Sequence, residues 1–539
     1  MAVAFWPMRI GLSLILLLGA CGAPAVLAPE LGPCTLREKW VYAPLDLEQS
    51  QNVDKLIGLM DRSAKLGFST LLLEDPNFGR LPLMDDEYFR HLERIKAAAA
   101  EHRIDLVPAM FQIGHSENLL SQDPNLAEGL PVRDQLYVVR GGVARVEADP
   151  PVGFRPTWDH RDPSMSADWV VQNPQGKLAR VWQKIRVSPY RQYHVSVRIR
   201  TRDFKGTPRI VVIGGGRLLN FNLQGAKPTQ DWTEHHAVFN SLGDREVRVS
   251  FGCWDGETGE AAFSDPNIEE TGLVNVLRRP GAPLVVKDQD AEPLTEGADF
   301  EYIRDRKLGR EDLPGGYSEW HDPPAIRTRL PDGTKLRVSY YHMLRFPDGG
   351  QVMICPSEPR TVELLRDQAR RLHQIFHAKA YFMSHDEVRV CNWDSSCAKR
   401  NMTAGQILAD NVRTCIGILR SLSPTSRIYV WSDMFDPHHN AHEHYYLARG
   451  GMQGAWEGLD PDVIVATWFY DKRDESLQWF SSRGHQTLIA GYYDQKPERA
   501  RDWLESAAQV RGTIGIMYTS WYDHYEDLET FAGHVDRFR

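Results

Sequence analysis

The sequence predicts an α/β fold: a (β/α)8 TIM barrel interrupted by an inserted antiparallel β-sandwich of jelly-roll type. Three observations lead to it. Short apolar runs alternate with amphipathic stretches toward both ends of the chain, the pattern of βα units on a parallel sheet. Between them, over residues 132–272, helical periodicity gives way to alternating apolar and polar residues broken by turns. The apolar runs near the C-terminus close repeatedly on Trp, Tyr or carboxylates, and strand ends are where a barrel assembles its site.

In chain order, residues 1–34 read as a leader and tether. Arg9 precedes an apolar run, 10–18, that is too short to span a bilayer. Leu18-Gly19-Ala20-Cys21 resembles a bacterial lipoprotein signal, which implies Cys21 as the lipid attachment site. A leader cut after Ala23-Pro24-Ala25 is the alternative. Both predict export, with membrane contact only through the lipid.

Residues 35–131 form the first part of the barrel. A strand at 39–46 is followed by a helix at 52–66, where Val53, Leu56, Ile57 and Met60 share a face and Gly67 stops the run. A strand at 69–73, a helix at 85–103 and a strand at 104–111 follow, the last closing on Gln112, Gly114 and His115. Residues 132–272 form the sandwich, with strands at 193–200, 209–213 and 246–251. Its end, from Trp254 through Gly259 to Asp265, resembles jelly-roll carbohydrate-binding modules, and either sugar binding or a structural role fits that resemblance. Trp158, Trp169, Trp182, Trp232 and Trp254 read as core of the insert rather than ligand platforms. Residues 273–350 are a β-rich connection with one strand at 336–343, placed at the barrel rim.

Residues 351–539 complete the barrel and carry its site. A helix from Pro359 leads into Ala380-Tyr381-Phe382-Met383, which ends in Ser384-His385-Asp386-Glu387. Thr403 caps the next helix, to Leu422. The remaining strands are 427–431, ending at Trp431 and Asp433; 463–467, ending at Trp468; 487–490, ending at Tyr492 and Asp494; and 514–518, ending at Trp521 and Asp523. Without 336–343 the strands number eight.

Net charge is −9 with no basic block, which excludes a nucleic-acid partner, since phosphate binding needs concentrated positive charge. The 15 Trp and 19 Tyr suit the apolar faces of sugars, so the expected partner is an oligosaccharide or glycan. No paired CxxC spacing exists, and the histidines at 438, 439, 442 and 444 lack zincin spacing, so neither metal nor cofactor is expected. Cys391 and Cys397 bracket the loop after the acid pair and are a candidate disulfide. Adjacent carboxyls at a strand end repel unless their surroundings split their pKa values, which suits Asp386 and Glu387 to acid–base work.

With the barrel in place, the chain resembles glycoside hydrolase family 20, the β-N-acetylhexosaminidases. Asp386-Glu387 matches the family's acid pair after the fourth strand, Tyr492-Tyr493-Asp494 its Tyr-x-Asp after the seventh, and Trp521-Tyr522-Asp523 nearly matches its Trp-x-Glu after the eighth. The resemblance implies Glu387 as general acid and Asp386 as the residue that orients the substrate's own attacking acetamido group. It implies substrate binding by Tyr492, Asp494, Trp431, Trp468 and Trp521, and strand-end position adds His115, His385, Asp433 and Asp523. The family's Arg after the first strand is missing, Ser384-His385 replaces its Gly-Gly, and its small domain before the barrel is absent. Two other readings stay open: a retaining glycosidase with Glu387 as acid/base and Asp494 as nucleophile, and a non-catalytic glycan-binding lipoprotein.

Overall fold

The computed structural model describes residues 31–155, 157–221, 225–310, 315–346 and 351–538. Cys21 and the leader lie outside them. Eight parallel strands close into a barrel: Glu38–Pro44, Thr70–Glu74, Asp105–Met110, Ala380–Met383, Arg427–Trp431, Ile464–Thr467, Thr487–Ile489 and Thr513–Tyr518. These are the strands expected from the apolar runs, displaced by one or two residues at most.

Alternation along each strand divides the side chains into two populations. Trp40 and Tyr42 of the first strand fill the barrel interior with Leu72, Phe382, Tyr429, Trp431 and Met517. Val41 and Ala43, between them, face the outer helices with Val53, Leu56 and Met60. Period-two alternation inside a parallel strand therefore separates a barrel core from a helix-packing layer. Helices Ser50–Lys65, Asp86–His102, Pro359–Phe376, Ala404–Leu422, Arg473–Ser482, Arg499–Ala508 and Leu528–Phe538 cover the sheet. Between the fifth and sixth strands the described residues form no α-helix, only short 3-10 turns at Asp433–Phe435 and Ala455–Gly458 and the two-residue strand Leu447–Ala448. Thr403 caps its helix as expected, in a reciprocal capping box with Gln406.

The segment between the third and fourth barrel strands holds three antiparallel sheets. Two form the expected sandwich. One joins Arg217–Phe221, Pro208–Gly214, Glu246–Cys253, Ala179–Arg186 and His160–Arg161; the other joins Gln230–Asn240, Gln192–Lys205, Thr258–Thr271 and Val170–Gln172. The third sheet corrects two expectations. Lys335–Met343 does not extend the barrel rim but pairs antiparallel with Gly129–Arg140, Met343 opposite Gly129. Residues 129–146 accordingly belong with the connecting segment, not with the sandwich that was expected to start at 132. Strand character is local, but the partner of a strand is chosen by distant side-chain burial.

Barrel closure runs through Glu38–Val41 beside Gly515–Tyr518. Gly515 is required there: a Cβ would sit 2.3 Å from the Glu38 carbonyl oxygen. Gly515→Ala must therefore push the first and eighth strands apart, at a cost of about 1–3 kcal/mol or more. A lower thermal midpoint, followed by tryptophan fluorescence, is the expected result; an unchanged midpoint refutes this account of closure.

Candidate active site

The C-terminal strand ends surround a cavity of about 740 Å³. Its walls include Tyr42, Trp431, Trp468 and Trp521, and its floor carries Asp386 and Glu387. The rings pack edge to face: Trp521 lies 5.6 Å from Tyr42, 5.7 Å from Trp431 and 5.6 Å from Trp468, centroid to centroid. Edge-to-face packing fixes each ring by its neighbours and leaves apolar faces toward the cavity. The indole N–H of Trp468 is buried and has no hydrogen-bond partner among the described residues.

The acid pair is set by close backbone packing. Gly114 crosses the strand-four loop so tightly that a Cβ would lie 1.9 Å from the Asp386 carbonyl oxygen. Glu387 takes a left-handed backbone, φ 52°, which costs a non-glycine residue about 1 kcal/mol or more. Its N–H donates to Asp433 Oδ2 at 2.9 Å, which holds it in that conformation.

The two carboxyls meet opposite environments. Glu387 Oε1 pairs with Arg389 at 3.0 Å, and Oε2 accepts from Gln351 Nε2 at 2.7 Å with His115 Nε2 at 3.3 Å. Burial works to raise its pKa, but the bond to His115 and the charge of Arg389 hold it at about 2. An opposite charge within about 4–6 Å lowers a carboxyl by about 1–3, and Glu387 has two. Asp386 Oδ2 faces one cation among the described residues, His115 at 3.6 Å. Burial, with the charges of Glu74 and Glu387, lifts Asp386 to about 6 against the pull of His115. Burial and the charge of Asp386 push Asp433 up to about 8. For His115, burial alone would lower the imidazole, but the Glu387 bond and the charge of Asp386 outweigh it and raise it.

The expected site residues divide into groups. His115, Asp386, Glu387, Trp431, Trp468 and Trp521 meet at the cavity. Asp433 is fully buried, bound to the Glu387 backbone and to Asn440. His385 is buried as well, with Nε2 3.1 Å from Asn411 Oδ1. Tyr492 stacks on Trp521 at 6.2 Å, behind the wall residue. Asp494 braces the eighth-strand loop, accepting from Ser520 Oγ at 2.5 Å and the Trp521 N–H at 3.1 Å. Asp523 pairs with Lys55 across the barrel rim. The expected Cys391–Cys397 disulfide is not formed: both thiols are free, and Cys397 Sγ lies 3.5 Å from Cys355 Sγ instead. The short helix Ser395–Ala398 carries Cys397 to the 351–358 segment, while Cys391 lies on the two-residue strand beside Leu447–Ala448.

Four participants escape the sequence pattern. Tyr42 and Glu74 sit at the ends of the first two strands, and Tyr42 donates to Glu74 Oε2 at 2.7 Å. The strand-end rule that picks the later residues could have found both. Gln351 and Arg389 carry no such signal, because loops bring them in.

No family model matches the chain, and no curated protein matches it. Among solved structures it is similar to a glycoside hydrolase family 20 β-N-acetylglucosaminidase, with TM-score 0.37 and 9% identity over 93% of this chain and 70% of that one. It is similar to the Flavobacterium johnsoniae chitobiase, with TM-score 0.38 and 10% identity over 93% of this chain but only 48% of that one. A CBM4 structure matches 28% of this chain and 91% of its own, with TM-score 0.16 and 15% identity. At TM-scores this low the likenesses decide nothing about activity, and the barrel assignment rests on its own closed strand order.

Arg389→Met should raise the pH at which Glu387 titrates, read by carbon NMR of glutamate carboxyls, since it removes a guanidinium from an oxygen that burial already disfavours as an anion. No movement of that resonance rules out the grip of Arg389 on Glu387. Gly114→Ala should displace the acid pair and shift the carboxyl NMR resonance of Glu387 while the barrel stays folded by circular dichroism.

Proposed function

We propose that this chain is a glycoside hydrolase, and that Asp386 and Glu387 perform its proton and charge chemistry. The observation that carries the reading is an adjacent carboxyl pair in an aromatic cavity, with Glu387 held by Arg389, Gln351 and His115 and Asp386 facing one cation among the described residues, His115. A carboxylate gripped by Arg389, Gln351 and His115 accepts only and has no proton to give. Asp386 does have one to give near pH 6. On the partners of Glu387 we assign the two roles opposite to those the family resemblance implies.

The substrate best supported is a β-linked N-acetylhexosamine, on the strength of the acid-pair motif and the Trp-lined cavity. In that reaction the acetamido oxygen attacks the anomeric carbon as the glycosidic C–O bond breaks, and Asp386 protonates the leaving oxygen. Glu387 stays anionic and stabilises the cyclised, positively charged acetamido group. Water then attacks the anomeric carbon as its bond to the acetamido oxygen breaks, which restores the acetamido group, and gives up a proton to Asp386, with net retention of configuration. Asp494 is not favoured as a nucleophile, because Ser520 and the Trp521 N–H engage both its oxygens. The same reading includes export with Cys21 as the lipid attachment point. Labelled palmitate incorporated by the parent and not by Cys21→Ser tests that part.

Leaving-group dependence separates the roles. Asp386→Asn should lose about 10²–10⁴-fold on a simple aryl β-N-acetylglucosaminide and far less on the dinitrophenyl analogue, which needs no acid. Glu387→Gln should lose activity on both. The reverse pattern would return the acid role to Glu387. In the parent, kcat/KM should fall as pH rises through about 6, because an acid catalyst works only while protonated. Sugar binding without hydrolysis of either 2-acetamido or 2-hydroxy glycosides would leave a binding protein.

A further inference from the structure

Three segments deliver the groups that hold Glu387, and one buried cluster ties the same three together. His115, Gln351 and Arg389 reach Glu387 from different loops. Farther along those loops stand Glu128, then Cys355, then Asp394 with Cys397. These four residues are buried, and one ligand atom from each lies within 4.8 Å of the others.

The spacing suits tetrahedral coordination. Cys355 Sγ and Cys397 Sγ are 3.5 Å apart, and Cys397 Sγ is 3.5 Å from Glu128 Oε2. Around zinc, with bonds of about 2.0–2.3 Å, tetrahedral edges measure about 3.3–3.8 Å. The surrounding donors already orient the carboxylates. Glu128 Oε1 accepts the N–H groups of Trp393 and Asp394 at 2.6 and 3.2 Å. Asp394 Oδ1 accepts the Cys397 N–H at 3.0 Å. Such supporting bonds fix ligand direction in metal sites.

Charge points the same way. The cluster offers four groups that act as anions when they bind a cation, and all four are withdrawn from water. Arg279 is the neighbouring cation, donating to Asp394 at 2.7 Å, but it also serves Glu358 at 2.8 Å. A bound divalent ion would share with Arg279 the charge of these four groups.

We propose that Glu128, Cys355, Asp394 and Cys397 bind one divalent thiophilic ion, zinc by donor type, as a structural centre locking the three active-site loops. Two thiolates favour zinc over magnesium or calcium, and four protein ligands leave no open position for catalysis. The ligands come from three distant segments, which is why no cysteine spacing announces them. The centre stands independently of the glycosidase reading.

The test uses the full chain, purified under reducing conditions and incubated with excess zinc, then freed of unbound metal. Elemental analysis should find one zinc per chain. Replacement by cobalt should give thiolate-to-metal charge transfer and the visible bands of tetrahedral cobalt. Cys397→Ser should lose the charge-transfer intensity contributed by its sulfur, whereas Cys391→Ser, outside the cluster, should keep the whole spectrum. Glu128→Gln, close to isosteric, guards against misfolding of the serine variant and should weaken zinc binding at least about tenfold. Absence of bound zinc in the folded parent overturns the proposal. So does a Cys355–Cys397 disulfide in freshly isolated protein, or an undiminished cobalt spectrum in Cys397→Ser.

Discussion

Hydrogen bonding between the first and last barrel strands is the constraint on which the rest depends. Glu38–Val41 and Gly515–Tyr518 lie far apart in the chain, yet their pairing turns an open sheet into a ring. Only a closed ring brings the ends of the first six strands and the eighth around one cavity. The long insertion does not oppose this, because Phe382 still pairs beside Ala109 across it. Loop closure costs free energy only logarithmically in length, so the barrel tolerates three additional sheets between neighbouring strands.

Inside that ring, electrostatics are decided by how few cations face many acids. Glu74, Asp386 and Glu387 line the cavity with Asp433 buried beneath them, and Arg389 and His115 both direct their charge at Glu387. Glu387 takes the ionised role, and the other three are pushed toward the neutral form by burial. Asp433 acquires a structural task as a result: it holds the Glu387 N–H and fixes the left-handed turn that presents the side chain. The aromatic walls reinforce the division, since rings cannot compensate a buried anion with hydrogen bonds as water does.

Particular residues show how much the linear order of the chain reveals. Trp40 and Tyr42 alternate with Val41 and Ala43, so the first strand and both its faces are legible in the alternation itself. Thr403 with Gln406 is a capping box legible in four residues. His115, Trp431, Trp468 and Trp521 are found by position alone, because a parallel barrel sends every strand end to one rim. The same rule overreaches at Asp494 and Asp523, which share the rim but turn to Ser520 and Lys55.

The eight strands, the sandwich and the acid pair are all written in the linear sequence, because they follow from local periodicity and from what terminates it. Three further features come only from the folded chain: which carboxyl keeps its charge, which cysteines meet and which sheet residues 335–343 join. Each depends on groups from separate loops: Gln351 and Arg389 at Glu387, Cys355 at Cys397, Gly129 opposite Met343. Proximity between distant segments is set by packing the whole chain, and no spacing along the chain encodes it.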